Sequence, residues 1–266
     1  MKKEDVKFSQ SDILEGMPSI SALIKAIEQE KSDRRIIRIF IDESKKSSKR
    51  KEIGFLRAKA SLHHFSIDWG SSEEISRLTV GTSHGGIIAL CTGRTLLPLT
   101  EDRICKEGVY FMLEGVEDPY NFGYAVRSLY ASGADGIILP PRNWMGTAGV
   151  VARSSAGASE LMDMYVAEPT EAVAMFAKAG YRILCAGIRD SVSLFTADLS
   201  KPLLVILGGE KRGISGALLS KADQIVRIDY GTEFQGSLST AAATAVFAFE
   251  ILRYNSELKN ISEKSL

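Results

Sequence analysis

Residues 203–215 read LLVILGGEKRGIS, and the reading of this stretch decides the fold. Leu203 to Leu207 are apolar without polar alternation and too few for a helix of ordinary length, which is the pattern of a strand covered on both faces. Two adjacent glycines, Gly208 and Gly209, end the run, and Glu210, Lys211 and Arg212 follow directly. In an open α/β sheet, ligand sites lie just past the carboxyl ends of strands, so this is where a site is expected. The glycine spacing matches neither the dinucleotide fingerprint nor the Walker pattern, which argues against a phosphate cradle. Paired glycines instead permit close backbone approach to a flat or bulky ligand.

Working outward, similar short apolar runs recur at Val109–Leu113, Gly136–Leu139, Leu161–Val166, Tyr181–Cys185 and Gln224–Ile228, with helical segments between them. This alternation predicts an α/β domain with a mostly parallel sheet and helices on both faces. An alanine-rich helix from Ser237 to about Tyr254 closes it, apolar on most of its circumference and therefore expected to be buried on several sides. Upstream, an amphipathic run (Ile20, Leu23, Ile24, Ile27), a β-rich segment at Arg35–Ile41, a helix over Ile53–Ala60 and an apolar run at Ile87–Leu90 predict a small α/β domain. The expected boundaries are a first domain over 1–92, a linker over 93–107 and a second domain over 108–266.

Composition narrows the function. A chain of 266 residues with 45% hydrophobic content fits two domains with real cores. The formal net charge is zero, so any nucleic-acid contact must come from a local patch. Between Ser44 and Lys59 there are Lys45, Lys46, Lys49, Arg50, Lys51, Arg57 and Lys59 against the single acid Glu52. That stretch reads equally as a solvated face or as a phosphate-contacting surface. The cysteines (Cys91, Cys105, Cys185) are odd in number and lack metal-ligand spacing, so neither a disulfide framework nor a metal site is expected, and a reducing cytoplasm fits. No run approaches the roughly 18 apolar residues of a membrane helix, and the amino terminus lacks a signal-like stretch. The histidines, His63, His64 and His84, lie far from the polar clusters of the second domain, which leaves a Ser-His-Asp triad or zinc catalysis unsupported.

Those clusters number three. The first, EGVEDPYNFGYAVR over Glu114–Arg127, follows a strand and opens a helix; Asn121 reads as a helix cap or a functional amide, Arg127 as a surface ion-pair partner or a functional cation. The second is Leu207–Ser215. The third, Arg227–Thr240, leads into the alanine-rich helix, with Ser237 as its expected cap.

In order and spacing these clusters resemble the three motifs of the SpoU/TrmH family of RNA ribose methyltransferases, over roughly Val109–Tyr254. Asn121, Gly123 and Arg127 resemble the first motif, Leu207–Gly213 with Glu210 the second, and Ile228–Leu238 with the following helix the third. The segment before them is similar to the small ribosomal-protein-like α/β domain of many family members, with HGGIIA at 84–89 as its closing strand. The resemblance implies a deep trefoil knot in the carboxyl-terminal part of the sheet, a homodimer, S-adenosylmethionine as cofactor and RNA, ribosomal or transfer, as substrate. It implies catalytic roles for Arg127, Asn121, Glu210 and Ser237, and cofactor contacts at Leu207, Gly208, Gly209, Ile228 and Leu238. Lys45, Lys46, Lys49, Arg50 and Lys51 become the expected RNA contacts. The third motif departs from the family: Ser239 stands where asparagine is usual, Ala241 where serine is usual, and Asp229 and Tyr230 where proline and methionine are common. A non-catalytic RNA-binding relative, and a small-molecule α/β enzyme, stay open at this point.

Overall fold

A computed structural model describes residues 12–81, 84–141 and 145–264. In chain order the first elements are β1 (Ile13–Glu15), α1 (Gly16–Glu28), β2 (Ile36–Asp42), α2 (Arg50–His63), β3 (Ser66–Gly70), α3 (Ser72–Leu78) and β4 (Ile87–Cys91). They continue as β5 (Leu97–Pro98), β6 (Val109–Glu114), α4 (Pro119–Ala131), β7 (Gly136–Leu139), α5 (Ala148–Ser154), α6 (Ala158–Leu161) and β8 (Met164–Val166). The last are α7 (Pro169–Lys178), β9 (Arg182–Ala186), β10 (Val192–Ser193), β11 (Leu203–Gly208), α8 (Gly216–Leu219), β12 (Gln224–Arg227) and α9 (Thr240–Lys264). None of the described helices is long and apolar enough to cross a membrane.

The chain divides into two units, residues 1–95 with 143–161, and residues 96–142 with 162–266. The first unit carries a four-stranded sheet in the order β1-β4-β2-β3, in which β2 pairs parallel with β3 and antiparallel with β4. Leu14, Leu23, Ile39, Ile41, Leu56 and Ile87 pack its core.

The segment 143–161 departs from the sequence expectation, which placed it in the second domain. Its helices α5 and α6 pack on α1 and the end of β1, where Ser19 donates to the Ala152 carbonyl at 3.2 Å and Arg153 pairs with Glu15 at 2.9 Å. Arg34 and Glu160 form a 3.2 Å ion pair with both side chains almost wholly buried. Removing one partner of such a pair strands a buried charge, typically at a cost of about 3–5 kcal/mol. Gly157, at φ +85, lies where a Cβ would sit 2.5 Å from that of Ala22. Sequence periodicity missed this because the attachment rests on contacts with residues more than a hundred positions away.

The second unit holds an eight-stranded sheet in the order β10-β12-β9-β11-β6-β7-β8-β5, and every neighbouring pair is parallel. Strands 109–113, 136–139, 181–185, 203–207 and 224–228 were each expected to within a residue or two at each end. Their continuous apolarity has a plain cause: one set of alternating residues (Tyr110, Met112, Leu204, Ile206, Ile183, Cys185) joins α7 and α8 in a common core, while Phe111, Leu113, Leu203 and Val205 on the alternate positions are equally buried. Beyond them α4 packs along α9, burying Phe122, Val126, Leu129, Phe247 and Ile251. The expected linker is partly structural: Leu97–Pro98 pairs with Tyr165–Val166 as an edge strand, and Leu99 is buried in the same core. β8 is confined to the end of its apolar run, because Ala158–Leu161 is helical. The final helix starts at Thr240, three residues later than expected, and runs on to Lys264.

Candidate active site

The site forms where β6, β11 and β12 end and α4 and α9 begin. After β6 the chain turns through Gly115 at φ +74 and enters α4 at Pro119, whose missing N–H costs nothing at the first helical position. The cap of α4 is Asp118, whose Oδ1 accepts the N–H of Asn121 at 2.8 Å. Asn121 is therefore not the cap that the local pattern allowed. Its side chain is free to reach out, and its Nδ2 donates to Glu210 Oε1 at 2.9 Å.

Glu210 follows β11 in a tight return. The N–H of Gly213 donates to the Gly209 carbonyl at 3.1 Å, and Gly213 takes φ +64. A Cβ at Gly208 would lie 2.4 Å from the Gly213 carbonyl carbon, and one at Gly209 would lie 2.0 Å from the Gly115 carbonyl oxygen. The paired glycines are thus required by the chain's own backbone as well. Two further bonds tie this loop to the end of β6: Ser215 N–H donates to Glu114 Oε2 at 2.9 Å, and Lys211 pairs with Glu117 at 2.7 Å. The second is well exposed and adds little stability.

The third loop closes on the other two. Thr240 donates its hydroxyl to the Gly208 carbonyl at 3.1 Å and its N–H to Glu210 Oε1 at 3.3 Å. Ser239, not Ser237, caps α9: its Oγ accepts the N–H of Ala242 at 3.2 Å and its carbonyl that of Ala243 at 2.9 Å. Ser237 is exposed with no hydrogen bond among the described residues. The unusual pair before it has internal partners. Asp229 pairs with Arg227 at 2.7 Å, and the Ser193 hydroxyl and that arginine hold its carboxyl below the ordinary range. The Tyr230 hydroxyl accepts the Leu238 N–H at 3.2 Å, and its ring meets Phe234 at 5.8 Å.

Among the expected catalytic residues the structure thus joins Asn121 to Glu210 directly. Arg127 lies further along α4, exposed, with no ion pair or hydrogen bond among the described residues. Of the expected cofactor residues, Leu207 and Gly209 are buried, Gly208 and Ile228 half-buried, and Leu238 exposed. Sequence reading missed Thr240, Ser239 as cap, and Tyr230 as a strut; a threonine and a serine at the head of an alanine-rich helix were the available signal for the first two.

The expected RNA contacts lie in the first unit. Lys46 stands over the Trp69 ring at 5.4 Å, Lys49 pairs with Glu52 at 3.0 Å, and Lys45 is half-buried. Arg50 and Lys51 are exposed in the first turn of α2, and their side chains form no hydrogen bond or ion pair among the described residues.

A wholly parallel sheet with convergent polar loops at its carboxyl edge defines an α/β enzyme class, and the comparisons specify which. The model of the SpoU rRNA Methylase family matches residues 108–249, more than half of the chain. The chain belongs to this family. It is 27% identical over 258 residues to the 23S rRNA (guanosine-2′-O-)-methyltransferase RlmB of Shewanella oneidensis, covering 95% of this chain and 98% of that protein. A solved RNA 2′-O ribose methyltransferase shares the fold with a TM-score of 0.75 at 20% identity, covering 91% of this chain and 88% of its own. An AdoMet-bound rRNA methyltransferase from Sinorhizobium meliloti does so with a TM-score of 0.73 at 23% identity, covering 91% and 87%.

Proposed function

We propose that the chain transfers the methyl group of S-adenosylmethionine to a ribose 2′-hydroxyl of ribosomal RNA, with transfer RNA the less favoured substrate. The observation that carries this reading is the junction of Asn121, Glu210 and Thr240, which gathers all three family motifs at one carboxylate. The full-length likeness to RlmB supports ribosomal RNA.

The residues present fit the cofactor. The loops at the carboxyl edge offer main-chain polar groups beside apolar surface, with Ile188, Tyr230 and Leu238 exposed, and the glycine spacing provides no phosphate cradle. That chemistry suits a nucleoside with no phosphate. Leu207, Gly208, Gly209, Ile228 and Leu238 are the residues assigned to hold it. When bound, S-adenosylmethionine supplies an electrophilic methyl group on a sulfonium.

A ribose hydroxyl is a weak nucleophile, so the chain's own task is in-line placement and stabilisation of charge developing on oxygen. Arg127 is the group for this. A guanidinium is unsuited as a base, but this one is exposed, its side chain forms no ion pair among the described residues, and it can engage the RNA phosphate and the reacting oxygen. Asn121 and Glu210 hold the second loop in register with α4, and Ser237 is assigned to the RNA side of the third.

Arg50 and Lys51 support an RNA-binding role for the first unit. Cations in the first turn of a helix sit at the positive end of its dipole, an arrangement that a phosphate partner relieves. The pairing of two copies is assigned to α9, where Phe249 and Leu252 stay exposed one turn apart. A threaded knot is consistent with the segment before β11, which bonds to both β12 and α9: Arg227 donates to the Ser191 carbonyl at 2.6 Å and Asn255 to that of Leu199 at 2.8 Å.

The deciding experiment is calorimetric titration with S-adenosylmethionine, followed by labelled-methyl transfer to ribosomal RNA lacking the modification. Binding with transfer to a ribose is expected. Binding without transfer to any RNA supplied would favour the non-catalytic relative, and no binding would defeat the reading.

A further inference from the structure

The head of α9 does more than begin a helix. Thr240 is 4% exposed, so its polar contacts are shielded from water. Its hydroxyl donates to the Gly208 carbonyl at the end of β11, and its N–H donates to Glu210 Oε1 two residues further on. One residue of the third loop therefore grips the second loop at both sides of Gly209. Its own position is secured from behind, since buried Thr244 donates its hydroxyl to the Thr240 carbonyl at 2.7 Å, and Ser239 caps the helix. Glu210 Oε1 takes its second donor from Asn121, which leaves Oε2 without a hydrogen bond among the described residues.

We propose that Thr240 is a positioning residue: its side chain and main chain together latch the Gly208–Glu210 loop, setting the Gly208 main chain for the cofactor and the Glu210 carboxylate for the reaction. This rests on the functional reading above. The hydroxyl is the separable half of the latch. Replacing it by a methyl group leaves a sheltered carbonyl with one donor fewer, while the N–H contact and the helix remain. The loop then loses its tie at Gly208 and opens more often, which amide exchange reads without any ligand.

The test compares Thr240→Val with Thr240→Ser in the full chain, both of which keep a residue suited to the first helical turn. In ligand-free protein, Thr240→Val should raise amide exchange within residues 209–213 about tenfold, with the remaining amides and the melting temperature little changed. It should also raise the Kd for S-adenosylmethionine about tenfold. Thr240→Ser, which restores the hydroxyl, should behave like the parent in both readouts. Unchanged exchange in Thr240→Val, or equal effects from the valine and serine variants, overturns the latch. If Thr240→Val melts globally, Thr240→Ser and Thr240→Ala are compared in its place, and equal loop exchange in these two overturns the latch equally. If Thr240→Val raises loop exchange but the parent binds no S-adenosylmethionine, the functional reading falls and with it the positioning role, while the tie between Thr240 and the loop stands.

Discussion

Asn121 donates to Glu210 at 2.9 Å across 89 positions of sequence, bringing the start of α4 against the return that follows β11. Because Asp118 already caps the helix, the amide of Asn121 is not needed for local structure. Its one described side-chain bond is to a carboxylate that also accepts the N–H of Thr240.

Asn121→Asp should therefore be more damaging than Asn121→Ala. A carboxylate facing Glu210 replaces an attraction by like-charge repulsion, and the second loop is pushed away from α4. Single-turnover transfer should fall at least tenfold further in the aspartate variant, with the melting temperature close to the parent in both. Equal rates in the two variants would show that the bond does not organise the reaction.

Arg127→Ala should abolish transfer while the Kd for S-adenosylmethionine stays within about twofold, because among the described residues the guanidinium forms no hydrogen bond or ion pair with those assigned to the cofactor. Arg127→Lys should recover part of the rate, since a lysine keeps the charge but not the planar fork. Cofactor affinity falling in step with transfer would relocate Arg127 to the cofactor side.

Ser239→Asn should leave thermal stability unchanged, because serine and asparagine are equivalent helix caps. Ser239→Ala should cost about 1 kcal/mol, lowering the melting temperature by roughly 2–4 °C for a chain of this size. A strong loss in the asparagine variant would mean that the third loop has been rebuilt around serine.

Charge reversal at Arg50 and Lys51 should weaken RNA binding and flatten its salt dependence by about 0.7 in log–log slope per lost phosphate contact on single-stranded RNA. Stability should hold or rise, since acids in the first turn of α2 agree with the helix dipole. Filter binding over a salt series, with a thermal melt alongside, reads both; undiminished affinity would remove this face from the RNA path.

Burial pushes the thiols of Cys91 and Cys185 up to about 12 from an ordinary value of 9.0, whereas Cys105 is exposed. One thiol should react with an aromatic disulfide in the native protein and three after unfolding. The unfolded chain releases the two buried protons near pH 9 and the folded chain only near 12, so this contribution to stability is intact below pH 9 and is lost as pH rises towards 12. A denaturant midpoint that falls between pH 8.5 and 10.5, and falls less in Cys91→Ala, is the expected result; flat midpoints would contradict it.

Much of this architecture could be read along the chain. Leu203–Leu207 and its counterparts are legible as doubly covered parallel strands because a strand with apolar neighbours on both faces has no polar phase to show. The polar clusters holding Asn121, Arg127 and Glu210 were legible because they are set just past strands, and their match to family motifs came from resemblance.

What the sequence by itself determined was the order of elements, the kind of sheet and the identity of the polar clusters, all of which depend on patterns a few residues long. Only the tertiary structure decided that residues 143–161 join the first unit, through Arg34–Glu160 and Ser19–Ala152, and that Gly208 and Gly209 are small for the sake of Gly213 and Gly115. It alone assigned the caps to Asp118 and Ser239 and gave Thr240 its grip on Glu210. The physical reason is that these are contacts between particular donors, acceptors and atoms in space: several close only when loops tens of residues apart are brought within about 3 Å, and the caps turn on which of several eligible side chains the folded backbone brings into line.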